Sequence, residues 1–465
     1  MVCSTNQHRD LNAQIAKIYL YLLFIRLFSQ LTFLQVYLSI TVNWIDSIIS
    51  FLGLAFIILN NKGVLYLPSR YEGRLFKFFT GMIITLCASS FVMSLVLYNR
   101  VGTIAGETTL DAFFPTVIYF VQYILMIYYN IVVFDLLDID TITMIIDRVI
   151  VFEIIVGYFQ VAMVTFAKGL AAIQNAIDIL GIFYDANTSV NIGRISLTGR
   201  EAAGGASMIT IFFLPYLFSC ILSGKKEKKY YVYIIMFLPL LLFTKSSTGY
   251  ILFCVLILSF LILLLREGRS NVLIKMLFVL FFIITFTIIA FDLGLIKVAG
   301  SDIDISYILF KKIEDKNNMS TVNREVNLYM NWGAFSEYPI LGVGNGNQGF
   351  FFSKYVPSWA TSSPTIQRMI NNPTSVTDGA TFYPGGLSGY GIFGVILYLI
   401  YKKRAYMCLE KNRDEKNLFY YMYKIASPVI FVFGFSSGFA ATFWLWFVIS
   451  IPFIRVNKYG TMIEP

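Results

Sequence analysis

Two short segments of the sequence carry cations that are suited to binding phosphate. Arg194 and Arg200 lie in the run GRISLTGRE, and a guanidinium group can hold phosphate oxygens through two parallel hydrogen bonds. Lys245 lies in the run TKSSTGY, where neighbouring hydroxyl groups add hydrogen-bond donors. Each segment also has a structural explanation, because arginines beside an apolar segment extend toward water or pair with Glu201, and Ser or Thr side chains cap helices. The spacing alone leaves both explanations open.

A third segment joins charged residues to aromatic rings and glycines. Arg324, Glu325 and Trp332 lie on one predicted helix, and the run YPILGVGNGN, which includes Tyr338 and Asn345, follows it. The Gly-x-Gly-x-Gly spacing in this run permits close backbone approach and positive φ angles. It does not follow a buried strand, which excludes a dinucleotide-binding Rossmann motif. A nest of backbone N–H groups that binds an anion is one interpretation of the run.

A fourth segment supplies a carboxylate, Asp378, and a phenol, Tyr383, ahead of the glycine-rich run GGLSGYG. Asp378 is a candidate general base, and a turn or a helix N-cap is the alternative role for such a carboxylate. The sequence has one histidine, His8, and five scattered cysteines without a C-x-x-C pair. This pattern argues against a histidine triad, a zinc site and a disulfide framework. We therefore expect chemistry without a metal or another cofactor.

The elements that must position these segments are membrane helices. Hydrophobic residues make up 57% of the 465 residues and charged residues only 14%, against about 25% charged residues in soluble domains. This composition excludes a soluble enzyme, a disordered chain and a nucleic-acid-binding protein. Because a span needs roughly 20 apolar residues, we predict an all-α polytopic integral membrane protein with about twelve transmembrane helices. The predicted spans are 15–34, 38–59, 78–98, 111–134, 149–167, 205–223, 230–244, 250–265, 272–296, 386–401, 418–439 and 441–454.

The distribution of Lys and Arg predicts how the helices are oriented. By the positive-inside rule, the side with the basic loops is cytoplasmic. In the predicted arrangement both termini lie on that side. The basic loops concentrate at 62–77, 225–229, 266–275 and 402–416.

Two longer segments, 168–204 and 297–385, fall on the opposite side in this arrangement. The second is rich in aromatic residues, which argues against disorder and predicts short helices that cap the membrane bundle. We expect three parts. They are residues 1–296 with helices 1–9 and the outer loop 168–204, the external cap 297–385, and residues 386–465 with helices 10–12 and a cytoplasmic C-terminus.

Taken in order, these segments resemble the O-antigen polymerase and O-antigen ligase superfamily over roughly residues 190–400. The resemblance rests on GRISLTGREAAGGA before a helix, on the TKSSTGYI hairpin, and above all on NREVNLYMNWGAFSEYPILGVGNGN and GGLSGYGIFGVILYLIYKKR. It implies a membrane-embedded glycosyltransferase of the C type (GT-C-like) that works on the outer face of the bacterial cytoplasmic (inner) membrane. The substrates would be sugars carried on undecaprenyl diphosphate, with neither a nucleotide sugar nor a metal.

The resemblance also assigns roles to residues. For a polymerase, it implies transfer of the growing glycan from its lipid diphosphate onto the next lipid-linked repeat unit. The family arginines map to Arg194 or Arg200 and to Arg324, which would hold the donor diphosphate and stabilise the leaving group, with Lys245 as a third cation. The residues assigned to the glycan are Trp332, Tyr338, Asn345 and Tyr383.

The general base is left open by the sequence. Ligases of the superfamily typically carry a histidine shortly before the last Gly-x-x-Gly helix, and the equivalent stretch TDGATFYPGGLSGYG has none. This departure favours a polymerase over a ligase. The nearest carboxylate in that stretch is Asp378, and Tyr383 is a weaker candidate. Glu325 and Glu337 are the alternatives.

Two other functions remain as alternatives, an O-antigen ligase that transfers glycan to lipid A–core and a non-enzymatic flippase or transporter of lipid-linked oligosaccharides. A flippase should distribute cations through a central cavity. The predicted spans hold few ionisable residues, and such residues are functional candidates by default. The main ones are Arg26, Asp46, Glu153 and Asp292. Expected partners are the bilayer and undecaprenyl-diphosphate-linked oligosaccharides, with a chain-length regulator and a flippase as candidates by family analogy. No nucleic acid is expected.

Overall fold

The protein is an all-α polytopic membrane protein, as its composition predicts. The computed structural model describes residues 2–25, 42–61, 70–166, 193–199, 201–225, 227–268, 319–361, 363–374, 381–411, 413, 418–437 and 442–454. Within these residues the elements are helices, and the β-structure is one isolated bridge between Ile104 and Glu107.

The helices follow the apolar runs of the sequence. We number them in chain order as α1 Val2–Ile25, α2 Val42–Asn60, α3 Arg70–Val101, α4 Thr109–Leu136, α5 Ile139–Phe166, α6 Ala202–Leu222, α7 Lys228–Phe243, α8 Ser247–Arg266, α9 Met319–Glu337, α10 Gly349–Tyr355, α11 Pro364–Asn371, α12 Phe382–Lys411, α13 Leu418–Ser436 and α14 Phe443–Ser450. A short 3₁₀ turn, Ile451–Phe453, continues α14, and another, Ser358–Ala360, lies between α10 and α11.

Six helices in the described part of the chain are long and apolar enough to cross a membrane. They are Gly73–Val101, Thr109–Leu136, Ala202–Leu222, Ser247–Arg266, Phe382–Lys411 and Leu418–Ser436. Each contains or overlaps a predicted span. The predicted spans 38–59, 149–167, 230–244 and 441–454 also coincide with helices, namely α2, α5, α7 and α14. The predicted span 272–296 lies outside the described residues, and so does the end of the predicted span 15–34.

The basic segment at 402–404 was predicted as a loop, and this prediction is wrong. Lys402 and Arg404 belong to α12, which continues to Lys411. Their side chains pack along neighbouring aromatic rings. The Arg404 guanidinium carbon lies 4.0 Å from the centre of the Phe78 ring, and Lys402 Nζ lies 5.8 Å from that of Tyr398. Such cation–π contacts let basic residues extend a helix beyond its apolar part.

Helix α6 forms the axis of the bundle. All residues of its apolar window are buried, and a helix that is apolar all round is expected at the centre of a protein. Aromatic rings seal it on several sides, with Phe213 stacked on Phe237 at 5.2 Å and Phe218 stacked on Phe260 at 4.3 Å. The helix has a π-helical stretch at Ile209–Phe213. Because α6 starts directly after residues 193–201, its fixed position determines where that segment lies.

Helices α9, α10 and α11 form a small unit with a core of its own. Buried residues on all three helices pack together, and the members of this core are Val322, Val326, Met330, Phe352, Ala360, Ile366 and Met369. A second cluster joins α9 and α10 to α3 and α4, through residues such as Ala334, Phe351, Leu97 and Ala112. The described part of segment 297–385 is therefore helical. Its location outside the membrane stays a prediction.

The glycine run after α9 packs against the glycine-rich start of α12. The N–H groups of Val343 and Gly344 donate to the carbonyls of residues 388 and 389 at 2.8 and 2.9 Å. On the other side, the N–H groups of Ile392 and Phe393 donate to the carbonyls of residues 339 and 340 at 2.9 and 3.1 Å. A Cβ on Gly342 would lie 2.4 Å from the Gly389 carbonyl carbon. The predicted close backbone approach is thus an approach to α12.

Gly391 allows α12 to make this junction, and its replacement tests the junction. At φ 59° and ψ −157° it interrupts the helix in a region of φ/ψ space that is essentially restricted to glycine. An alanine Cβ there would also lie 2.5 Å from the Ile340 carbonyl oxygen. We expect Gly391→Ala to lower the free energy of unfolding by at least about 1–3 kcal/mol, measured by thermal unfolding in detergent. The matched control is Gly386→Ala, because nothing lies within 4 Å of a Cβ at Gly386. Equal melting temperatures for the two variants would contradict this role.

Candidate functional site

Residues 193–199 form an irregular loop that is clamped between helices. From α5, the side-chain oxygen of Gln160 accepts the N–H groups of Ser196 at 3.1 Å and Leu197 at 2.9 Å. Glu153, on the same face of α5 and two turns away, accepts the N–H and the hydroxyl of Thr198. Hydrogen bonds to its backbone therefore fix the loop, and they also fix the backbone position from which the Arg194 side chain extends.

Arg194 joins this loop to the hairpin between α7 and α8. Its Nε donates to the Thr244 carbonyl at 2.9 Å, and one terminal nitrogen donates to the Lys245 carbonyl at 3.2 Å. Lys245 has a φ of 47°, which is rare for a residue with a side chain. The guanidinium binds the backbone at this strained position. Because Arg has five N–H donors, these two bonds leave the group able to bind a further acceptor.

The hydroxyl groups beside Lys245 serve the hairpin itself. The Ser246 hydroxyl accepts the N–H of Gly249 at 3.3 Å and caps α8, and the Thr244 hydroxyl donates to the Leu241 carbonyl at 2.7 Å. The capping explanation of this segment is thus confirmed for Ser246. The cation and the capping residues have separate tasks within one turn.

Three cations from distant parts of the sequence interact through Arg194, which binds the Lys245 backbone and whose pKa responds to the charge of Arg324. Burial lowers the pKa of Arg194, and the nearby positive charge of Arg324 lowers this pKa further. Burial also lowers the pKa of Lys245, and Arg194 adds to the effect. The half-buried Arg324 on α9 has a pKa lowered by burial as well. We call Arg194, Lys245 and Arg324 the cation cluster. An anion placed there would relieve the repulsion among its members.

Glu201 is a carboxylate that interacts with the cation cluster. From the sequence we expected it only to pair with a loop arginine. It stands just before the first residue of α6 and is exposed. Its charge raises the pKa of both Arg194 and Arg324, against the effect of burial. Its position at the start of the helix that follows the GRISLTGRE run was the available signal.

Two of the predicted site residues, Arg200 and Asp378, lie outside the described residues. Glu325 is half-buried and follows Arg324 on α9. Successive residues of a helix are rotated by about 100° and do not face each other. The two side chains therefore leave α9 in different directions. A joint role at one reacting atom is thus less favourable than the sequence order suggests.

The predicted glycan-binding residues lie in three places. Trp332 is 65% exposed on α9, two turns beyond Arg324, with its ring 5.5 Å from that of Phe335. Tyr338 packs edge-on against Phe351.

The other two glycan candidates have partners within the fold. The side-chain oxygen of Asn345 accepts Gln348 Nε2 at 3.3 Å. Tyr383 packs among aromatic residues of α12 and α13, and its hydroxyl lies 3.0 Å from that of Tyr398. These contacts of Tyr383 lie within α12 and α13, whereas Trp332 shares α9 with Arg324.

Glu337, an alternative base, is placed away from Arg324. Both lie on α9, and thirteen residues of a helix extend about 20 Å. The Glu337 carboxylate accepts Lys354 Nζ at 2.7 Å and also the hydroxyl of Tyr355. This distance and the pairing with Lys354 make Glu337 a less favourable base than a carboxylate at the level of Arg324.

The anion-nest interpretation of the glycine run is also wrong. Such a nest needs backbone N–H groups that are free to face a ligand. Here the N–H groups of residues 342–347 donate to protein oxygens. In chain order the acceptors are the carbonyls of Tyr338, Ser388 and Gly389, the hydroxyl of Ser90, the side-chain oxygen of Gln348 and the carbonyl of Gly344. The run is a packing device rather than an anion site.

Within the described residues, no group of three or more His, Cys, Asp or Glu side chains is placed to hold a metal ion. The cation cluster is the grouping there that matches the predicted chemistry, and its members favour an anion. The expectation that no metal takes part stays a prediction.

The comparison with known families covers part of this site. Residues 232–373 match the sequence model of the O-antigen ligase family. The match includes Lys245, Arg324, Glu325 and Trp332, whereas Arg194 lies before it. No curated protein shows significant similarity to the chain. The match supports the wider superfamily of O-antigen ligases and polymerases and does not distinguish between the two activities.

The lowered pKa of Lys245 predicts how anion binding depends on pH. An ordinary lysine has a pKa of 10.5, and burial and Arg194 place that of Lys245 lower. As the pH rises, Lys245 therefore loses its charge at a lower pH than an ordinary lysine does. The affinity for inorganic diphosphate should start to fall at that lower pH. In Lys245→Arg the cation stays charged, so this decline should disappear. Calorimetric titration of the two proteins over pH 7–10 measures the difference, and their ratio cancels the titration of diphosphate itself.

The matched control for this titration is Lys354→Arg. Lys354 is an exposed lysine whose pKa the Glu337 carboxylate raises. Its replacement should leave the pH profile unchanged. An unaltered alkaline decline in Lys245→Arg would contradict the assignment of Lys245 to the anion site.

Proposed function

We propose that the cation cluster binds the diphosphate of a lipid-linked glycan and that the protein is a glycosyltransferase, an O-antigen polymerase or a polymerase of a similar surface polysaccharide. The observation that carries the proposal is the convergence of Arg194, Lys245 and Arg324 from three separate segments. The family match over residues 232–373 supports it independently. A substrate anchored in the bilayer also fits a polytopic membrane protein.

The cluster acts on the leaving group in this mechanism. The acceptor hydroxyl oxygen forms a bond to the anomeric carbon of the donor glycan, while the bond from that carbon to the diphosphate oxygen breaks. The electron pair of the broken bond stays on the diphosphate, which gains negative charge. Cations that are already in place stabilise this charge more strongly in the transition state than in the bound substrate, and that difference lowers the barrier.

The proton of the acceptor hydroxyl must pass to a base. Asp378 and Glu325 are the candidates from the sequence, and Glu201 joins them because it interacts with both arginines of the cluster. A carboxylate beside two guanidinium groups can accept the proton only as the acceptor hydroxyl becomes acidic in the transition state. Separate replacement of Glu201, Glu325 and Asp378 by the corresponding amide tests them.

Aromatic residues would hold the glycan beside the cluster. Trp332 lies about 12 Å along α9 from Arg324, and its exposed ring offers a face to a sugar. Tyr338, Asn345 and Tyr383 are assigned to more distant sugars. Because Tyr383 contacts residues of α12 and α13, we expect its replacement to affect transfer less than Trp332→Ala.

A polymerase is preferred to a ligase because of one departure in the sequence. The stretch TDGATFYPGGLSGYG lacks the histidine that ligases typically carry there, and the chain's histidine, His8, precedes the first predicted span. The flippase alternative differs in its product, because a flippase moves lipid-linked units without lengthening them.

We also propose the topology that the basic segments predict. The cation cluster would face the periplasm or exterior, with both termini in the cytoplasm of a bacterium. Residues 1–296 and 386–465 would form the membrane bundle, and segment 297–385 would cap the site. Undecaprenyl-diphosphate-linked oligosaccharides would be the substrates. A chain-length regulator and a flippase are proposed partners.

A reconstitution assay tests the proposed function. The purified protein is incubated in detergent with lipid-diphosphate-linked repeat units, and the products are resolved by gel electrophoresis. A ladder of increasing length is expected. Transfer that needs added lipid A–core would instead indicate a ligase. Unchanged units, together with lipid movement in vesicles, would indicate a flippase.

Arg324→Ala should abolish elongation while leaving the fold intact. Loss of one preorganised group that stabilises developing charge costs about 100- to 1,000-fold in rate, and we expect a loss of that size in the reconstitution assay. Arg324→Lys should recover part of the rate, because the charge returns without the bidentate geometry. Arg368→Ala is the control, since Arg368 is exposed on α11. Normal chain lengths from Arg324→Ala would exclude the proposed role.

Chelation should leave the reaction unaffected. The proposed leaving group is stabilised by side chains, so we expect the same ladder of products in the presence and absence of EDTA. The measurement is the initial rate of elongation after dialysis against chelator. A loss of rate that a divalent cation restores would show that the cluster needs a metal.

A further inference from the structure

Helix α5 carries two buried polar side chains that form hydrogen bonds to loop 193–199. Glu153 is 0% exposed and Gln160 is 3% exposed. They are seven residues apart, which places them on one face of the helix two turns from each other. A buried polar group is costly unless it is hydrogen-bonded. Their hydrogen bonds therefore indicate what the two residues are there to hold.

Gln160 binds both polar groups of one strained residue. Its side-chain oxygen accepts the N–H of Leu197 at 2.9 Å, and its side-chain nitrogen donates to the Leu197 carbonyl at 2.9 Å. Leu197 has a φ of 53°, and a residue with a side chain pays roughly 1–2 kcal/mol for this conformation. The side-chain amide of Gln160 thus satisfies both backbone groups of Leu197, and these hydrogen bonds offset the strain of its positive φ angle.

The loop also fits the shape of α5. Gly157 lies between the two polar residues on the same face, and a Cβ at Gly157 would be 2.7 Å from Leu197 Cδ2. The Leu197 side chain therefore occupies the space that the glycine leaves. One turn beyond, the carboxylate of Glu153 accepts the N–H and the hydroxyl of Thr198. Residues 196–198 are thus matched to α5 both in shape and in hydrogen bonding.

The opposite edge of the same loop carries the cation. The N–H of Ile195 donates to the Phe243 carbonyl at 3.2 Å, and Arg194 donates to the carbonyls of Thr244 and Lys245. A displacement of residues 196–198 would pull Arg194 away from these carbonyls. One residue, Ile195, separates Arg194 from Ser196, the first residue that α5 clamps, so little slack exists between them.

We propose that Gln160 and the Glu153–Thr198 pair are positioning residues, which act through the backbone of loop 193–199 to hold Arg194 at the cation cluster. The proposal rests on the proposed function for its consequence in catalysis. The positioning itself concerns anion binding and loop structure. It can therefore be tested with inorganic diphosphate and without any glycan substrate.

The first experiment is a double-mutant cycle on the full-length protein in detergent. Gln160→Leu and Thr198→Val, each close in size to the native residue, should weaken the binding of inorganic diphosphate about tenfold, by analogy with the loss seen when a group that orients a metal ligand is removed. Thr198→Ser keeps the hydroxyl and should bind within about twofold of wild type. In an Arg194→Ala background Gln160→Leu should have no further effect, because the residue acts through Arg194.

The control is Thr143→Val on the same helix. The Thr143 hydroxyl is buried and donates to the Asp140 carbonyl within α5 at 3.1 Å. This replacement removes a buried hydroxyl without touching loop 193–199, and diphosphate binding should be unchanged. Equal weakening by Thr143→Val, or an additive loss when Gln160→Leu is combined with Arg194→Ala, would overturn the proposal.

The second experiment measures the loop directly. Amide hydrogen exchange at residues 196 and 197 should accelerate at least tenfold in Gln160→Leu, and exchange at residue 198 should accelerate in Glu153→Leu. Unchanged exchange would refute the clamp, whatever the enzyme does. Failure of the proposed function alone would look different. Wild type would then bind no diphosphate or form no ladder, while the exchange differences would remain.

Discussion

Buried non-helical backbone must find hydrogen-bond partners within the protein, because an unpaired buried N–H or C=O group is costly. This constraint governs the two irregular segments on which the candidate site depends. Loop 193–199 obtains its partners from polar side chains of α5, and the glycine run after α9 obtains its partners from the carbonyls at the start of α12. In the first segment, buried polar side chains bind a short loop. In the second, glycines without side chains let two backbones approach and bind each other directly.

Burial also affects the energy of the cation cluster, and contacts within the protein offset part of that effect. Cations that are half-buried beside each other raise the energy of the empty protein, since burial and mutual repulsion both disfavour the charged forms. Glu201 offsets part of this cost at Arg194 and Arg324. Backbone bonds from Arg194 to the α7–α8 hairpin offset another part. A bound polyanion would remove the remaining unfavourable energy, and the cluster therefore favours anionic ligands.

The sequence predicted the helices well because long apolar runs have few other solutions in a membrane protein. It also identified Arg194, Lys245 and Arg324 as candidates from their residue types, and a family resemblance suggested their role. Nothing in their spacing shows that residues so far apart in the chain share one cluster. The glycine run was ambiguous for a physical reason. Positive φ angles serve an anion nest and a tight backbone contact equally, and only the positions of the acceptors distinguish the two.

The role of Gln160 was missed for a related reason. A polar residue in an apolar helix indicates that it has a hydrogen-bond partner. Here the partner is an irregular loop, and no sequence periodicity predicts the conformation of such a loop. Glu153 was noticed only as a charge in a predicted span. The seven-residue spacing that places it on one face with Gln160, and Gly157 between them, was present in the sequence. This spacing can be interpreted only together with Leu197, which is far from α5 in the sequence.

The junction between the glycine run and α12 has a consequence for motion. Four backbone hydrogen bonds cross it, from Val343, Gly344, Ile392 and Phe393, and each contributes about 1 kcal/mol net. Rotation of the α9–α11 unit about this junction therefore requires local unfolding, with an energy of several kcal/mol, instead of a free hinge movement. We therefore expect the unit and the first part of α12 to move together. Any tilt of α12 within the bilayer is then carried directly to α9 and to the arginine it bears.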